Sequence, residues 1–174
     1  MRCGQLLLAL WASAATACAE SEPPGPDEGT LLRLVIEHAR SSEQIAGDIA
    51  VHPGILVMGS DDEPAPASDA RHFDVVQDSA RMAAILGAEG AVPCNTIESH
   101  CDVRTHRRVL AFTDAVPDGA GRFKAGYVVT VDMGEASYQQ ANVLLLTRRG
   151  DGWVVAEVRR SWHADLLDAV RKAS

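Results

Sequence analysis

The sequence predicts an α+β domain in which two N-terminal helices pack on a strongly twisted, four-stranded antiparallel sheet connected as a meander. Three observations predict it. Residues 122–162 read as three strands joined by two tight turns, and two apolar stripes at helical spacing precede them, one after residue 30 and one after Asp74. Antiparallel strands in sequence, together with two amphipathic helices, pack most economically as a curled sheet with helices on its concave face.

The first of the three strands carries Phe123, Ala125, Tyr127, Val129, Val131 and Met133 on one parity. Lys124, Gly126, Thr130 and Asp132 share the other with Val128, and a period of two marks a half-buried strand. Gly134-Glu135 turns the chain. In the next run Val143, Leu144, Leu145 and Leu146 follow one another, which predicts cover on both faces. Gly150-Asp151-Gly152 closes the second hairpin, because glycine tolerates the positive φ that tight loops require. In the last strand Val154, Ala156, Val158 and Trp162 fall on one side, and Glu157, Arg159 and Ser161 on the other. The core side is expected to hold Phe123, Tyr127, Val129, Met133, Val158 and Trp162, with Tyr127, Val129, Met133 and Trp162 as the candidates to line a pocket.

At the start of the chain, Arg2 precedes the apolar run Leu6 to Ala12, which is shorter than the ~20 residues that span a bilayer. Ala17-Cys18-Ala19 before Glu20 has the small-x-small pattern of a secretory cleavage site, so residues 1–19 read as a signal peptide. Ala15-Thr16-Ala17-Cys18 also resembles the lipobox of bacterial lipoproteins, except that Ala15 stands where leucine is usual. A lipidated Cys18 that tethers the protein to a membrane and a soluble form are therefore both compatible with the leader. Residues 20–29, proline-rich and polar, read as a flexible linker, leaving 30–174 as a single α+β domain.

Thr30 or Asp27 can cap a first helix with Leu31, Leu34, Val35 and Ala39 on its apolar stripe, and His38 sits on that stripe. Ile49, Val51, Ile55 and Val57 alternate around Pro53-Gly54, which predicts an edge strand or small hairpin, since proline cannot donate to a ladder. Asp61-Asp62-Glu63-Pro64-Ala65-Pro66-Ala67 reads as a solvated acidic loop, lacking the alternating ligands and closing glutamate of an EF-hand. Ser68 or Asp74 can cap a second helix with Val75, Ser79, Met82, Ile85 and Leu86 on one face, stopped by Gly87. Val109 to Phe112 form a further strand, and the loop 114–121 leads into the sheet.

Charge narrows the partners. Without Arg2 the chain holds 15 basic against 24 acidic side chains, a formal charge of minus 9, which argues against nucleic acid. Arg104, His106, Arg107 and Arg108, and the hairpin set Arg148, Arg149, Arg159 and Arg160, read as solvated sheet faces. Beyond the leader only Cys94 and Cys101 remain, and export predicts that they form a disulfide. Its short ring would contribute on the order of 2 to 3 kcal/mol.

The stretch Leu144 to Val155, with the charged turn Arg148-Arg149-Gly150-Asp151-Gly152, Trp153 opening the last strand and Ser161 beyond it, resembles the terminal hairpin of NTF2-like (cystatin-like α+β) domains. The resemblance implies an NTF2-like roll with a pocket between sheet and helices. It also implies either isomerase or dehydratase chemistry in that pocket, or ligand binding, or dimerisation across the sheet, so a homodimer is among the expectations.

The residues themselves offer little chemistry. Glu98, His100, Cys101, Asp102 and His106 form the densest polar cluster, but their spacing fits neither His-x3-His on a helix nor alternate positions on a strand, so no metal or other cofactor is expected. No serine-hydrolase elbow, zincin motif, phosphate loop or dinucleotide fingerprint is present. His38 alone is a titratable group on a core-facing stripe, a weak catalytic candidate. The sequence thus predicts an exported, non-catalytic domain, periplasmic or anchored to the outer membrane, that binds a small ligand or an envelope protein. The alternative is a small isomerase, dehydratase or hydrolase using His38.

Overall fold

A computed structural model describes residues 24–42, 49–67, 73–76, 79–86, 91–93, 108–133 and 137–165. Along the chain lie α1 (Glu28–Ser42), β1 (Ile49–Leu56), β2 (Phe73–Val76), α2 (Ser79–Leu86), β3 (Ala91–Pro93), β4 (Arg108–Thr113), β5 (Val116–Pro117), β6 (Phe123–Asp132), β7 (Ser137–Arg149) and β8 (Gly152–Asp165). All eight strands join one mixed sheet in the order β2-β1-β4-β6-β7-β8, with β3 also on β1 and β5 on β6. This corrects the expected four-stranded antiparallel meander under two helices. The run β4-β6-β7-β8 is antiparallel, but the sheet continues past β4 into β1, which pairs parallel with both β3 and β4 and antiparallel with β2.

The source of the difference is β1. Pro53 suggests an edge, yet every residue of β1 is buried and it has neighbours on both sides. The strand accommodates proline by breaking register between Val51 and Ile55 against β4, so the missing N–H falls at an irregularity rather than in a ladder. His52 caps the gap by accepting the Gly54 N–H on Nδ1 at 2.7 Å, and its ring stacks on Phe73 with centroids 3.9 Å apart.

Helix α1 starts where Asp27 caps it: the Thr30 N–H donates to Asp27 Oδ1 at 2.9 Å, the Thr30 hydroxyl donates to Oδ2 at 3.0 Å, and the Leu31 N–H donates to the Asp27 carbonyl. Its end is held by Ser41 and Ser42, whose hydroxyls both donate to the His38 carbonyl. The buried stripe of Leu31, Leu32, Leu34, Val35, Ile36 and Ala39 lies against one face of the sheet. There it meets Ile49, Val51 and Ile55 of β1, Leu110 and Phe112 of β4, Ala125, Tyr127 and Val129 of β6, and Leu144 and Leu146 of β7, with Met82 and Leu86 of α2.

The opposite face is covered too. Leu56, Ala111, Val128 and Ala141 form a second, smaller core joined by Ala67, Phe73 and Trp162. The acidic stretch read as a solvated loop forms its lid. Met58 and Pro64 bridge, the Gly59 N–H donates to the Glu63 carbonyl, and the Ala65 N–H donates to the Val57 carbonyl, which folds 57–67 into a strap over the sheet. Its carboxylates stay in water while Pro64 is buried.

Two further corrections concern single residues. Met133 lies just past the end of β6 and is 67% exposed, so it belongs to neither core. Val158 is 38% exposed because β8 is the last strand of the sheet.

Candidate functional site

An open cleft of about 400 Å³ lies between α1 and the start of β8. One wall is helical. Arg33, Glu37 and Ser41 recur at i, i+4 and i+8, and Leu34 and His38 form the adjoining row, so one strip of α1 presents a guanidinium, a carboxylate, a hydroxyl and an imidazole to the opening. The other wall is Trp153, Val154 and Val155 of β8. Trp153 is positioned from below by Phe123, whose ring it meets edge-on with centroids 5.3 Å apart and planes at 87°. The Gly150-Asp151 turn carries the chain from β7 into this wall, with Gly150 at φ +62°.

His38 sits half-buried at the margin of the helix–sheet interface, with its ring 6.0 Å from the Tyr127 ring at 63°. Tyr127 itself is fully buried, and its hydroxyl lies 3.3 Å from the Ser42 hydroxyl. Behind the cleft the interior is packed by Tyr127, Phe112, Leu32 and Ile36, each 1% exposed or less. Of the side chains expected to line a pocket, Tyr127 and Val129 are therefore core, Met133 is on the surface, and Trp162 packs on the opposite face of the sheet from α1.

Two β-bulges set the face that each β8 side chain takes, and the second of them separates Trp162 from Val158. Against β7, Glu157 pairs with Leu145 but Val155 with Leu146, and Trp162 pairs with Ala141 but Arg160 with Asn142, so Ala156 and Ser161 are extra residues in β8. Each bulge reverses the parity that a simple alternation would carry along the strand. Trp153, Val155, Val158 and Arg160 share the α1 side, while Glu157, Arg159 and Trp162 point to the other.

A second, smaller opening of about 170 Å³ lies on that other side, between the strap carboxylates Asp61, Asp62 and Glu63 and the sheet residues Val143 and Arg159. Asp62 forms an ion pair with Lys124 at 2.6 Å. Among the described residues no group of three or more His, Cys, Asp or Glu side chains is placed to hold a metal ion. Arg148, Arg149, Arg159 and Arg160 are all exposed.

The remaining sequence candidates lie outside the described residues: the leader with Cys18, the pair Cys94 and Cys101, and the cluster Glu98 to His106. The sequence reading missed Arg33, Glu37 and Ser41. Their four-residue spacing beside the apolar stripe was a visible signal, but on a surface helix it equally describes a solvated face. None of the described helices is long and apolar enough to cross a membrane. No family model matches the chain, nor does any curated protein or solved structure. The likeness to NTF2-like domains thus rests on the hairpin residues alone.

Proposed function

We propose that this is an exported, non-catalytic domain of the bacterial envelope that binds a small ligand or a partner protein through the α1–β8 cleft. The observation that carries the reading is the division between that open cleft and the filled core behind it. An indole wall facing a row of mixed charges suits a ligand with a flat apolar part and a polar head, which Trp153 and the Arg33–Glu37 strip would hold from opposite sides. The leader-like residues 1–19, and the even number of cysteines beyond them, Cys94 and Cys101, support export.

The same cleft holds Glu37 beside His38, the acid–base pair that a small isomerase, dehydratase or hydrolase would need. Binding is favoured because acid–base catalysis draws on burial to bring such groups toward neutrality, and this pair stands at the rim of an open cleft.

A small-molecule library screened by thermal shift tests the reading. Ligands that raise the melting temperature of the wild type are expected to lose that effect in Trp153→Leu and Arg33→Ala; ligands indifferent to both substitutions would place binding elsewhere. Mass spectrometry of the protein purified from its host tests the address. A chain starting at a lipidated Cys18 or at Glu20 supports export, and an intact Met1 end rules it out.

A further inference from the structure

We infer that the outer edge of β8 pairs antiparallel with the same edge of a second copy of this chain, with the two-fold axis passing through Val158. Strand β8 ends the sheet, and among the described residues no strand pairs with its outer side. An edge of 14 residues is an open row of backbone donors and acceptors, a template for another strand.

The bulges at Ala156 and Ser161 bend this edge and divide it into three regular stretches, 152–155, 157–160 and 162–165, of which the middle one carries the exposed Val158. Side chains directly opposite in an antiparallel pair point to the same face, so the side-chain directions found for β8 restrict which residues can meet. Glu157 and Arg159 share the face away from α1, and Val158 lies on the α1 face. If Glu157 of one copy stands opposite Arg159 of the other, the two-fold symmetry repeats the pair and places Val158 against Val158 on the axis.

This register satisfies three exposed groups at once. Val158 is one of the two large hydrophobic side chains left exposed among the described residues, and Glu157 and Arg159 are both in water with no ion pair of their own there. A shift by one residue would oppose side chains of different faces. A shift by two would move Glu157 away from Arg159 and Val158 off the axis. Because the bulges confine the straight contact to the four residues between them, it is small and the dimer is expected to dissociate on dilution.

Sedimentation velocity on the protein purified from its host, over a wide concentration range, tests this. The wild type is expected to move from one to two chain masses as concentration rises. Glu157→Arg sets like charges opposite each other twice and should abolish the dimer, and the double variant E157R/R159E should restore it. Val158→Lys, which puts two ammonium groups on the axis, should leave only the monomer. All three positions are exposed, and circular dichroism checks that the variants stay folded. A protein that remains a monomer at every concentration, a dimer that survives Glu157→Arg, or a failure of the double variant to recover it would each overturn the proposal. None of these outcomes depends on a ligand in the α1–β8 cleft.

Discussion

The indole N–H of Trp162 donates to the backbone carbonyl of Pro64 at 2.9 Å, joining the last strand of the sheet to the acidic strap that crosses its outer face. The bond explains how a run of three consecutive carboxylates can cover a core. Asp61, Asp62 and Glu63 form the tip, held at its side by the Lys124–Asp62 pair, and the returning arm is fixed from below by Trp162. Trp162→Phe keeps an aromatic side chain beneath the strap and removes the donor. A loss of about 1 kcal/mol is expected, the usual net worth of one such bond. Urea denaturation should show a lower midpoint with unchanged slope, and an unaltered midpoint would mean that the bond contributes nothing.

Gly126 lies under the same strap. A Cβ built on it would stand 2.9 Å from Pro64 Cβ and 3.0 Å from its Cγ, closer than packed carbons approach. Alanine in a strand ordinarily gains on glycine by restricting the unfolded chain, so a loss here isolates the clash. Gly126→Ala is expected to destabilise by about 1 to 3 kcal/mol, the range for overpacking. Pro64→Ala should relieve part of that loss when the two are combined. Strict additivity of the two changes in a double-mutant cycle would show that the strap is not seated on Gly126.

The antiparallel half of the fold was legible because its signals are local: Phe123 to Val131 alternate, Leu144 to Leu146 run together, and Gly150 marks the turn. The rest depended on partners distant in sequence. Nothing near Pro53 announces that β3 and β4 will flank β1, because the irregularity that accommodates proline exists only once those strands pair. Nor does the composition of the strap show that Val128 and Ala141 need a lid. Bulges are equally silent, since Ala156 and Ser161 are ordinary strand residues whose extra place shows only in the register with β7. At the candidate site, His38 and Trp153 stood out individually, but their meeting across one cleft required the packing angle of α1 on the sheet.

The cap of α1 gives a pH dependence of known sign. The hydrogen bonds from the Thr30 backbone and hydroxyl hold the Asp27 carboxyl below its ordinary value. A carboxylate whose folded pKa is depressed contributes stability that is fully present above its unfolded value near 3.8 and is lost as pH falls through the folded value. Asp27 is exposed, so the contribution belongs at the low end for a cap, about 0.5 to 1 kcal/mol. Asp27→Ala should cost that amount at pH 7 and progressively less as the medium is acidified below pH 4. A difference between the two proteins that stays constant down to pH 2 would contradict the assignment. Asp27→Asn should retain most of the cap and show a smaller acid-dependent change.

Trp153 offers a measurement that separates holding the cleft open from filling it. Its ring is half-buried, packed against the helix-side core and edge-on to Phe123, which is 5% exposed. Trp153→Ala removes both the packed area and the aromatic pair, and because the side chain is only half-buried the loss should fall near or below the low end for such truncations, about 2 to 3 kcal/mol. Part of it belongs to the pair alone, roughly 0.5 to 1.5 kcal/mol for edge-to-face rings beyond their buried area. A cycle with Phe123→Leu reads that part directly. Trp153→Leu keeps an apolar wall, and a protein that retains its fold while the cleft loses its indole is the variant on which ligand binding can be judged. If instead the two rings prove uncoupled, Phe123 does not position Trp153, and the wall of the cleft is set by the backbone of β8 alone.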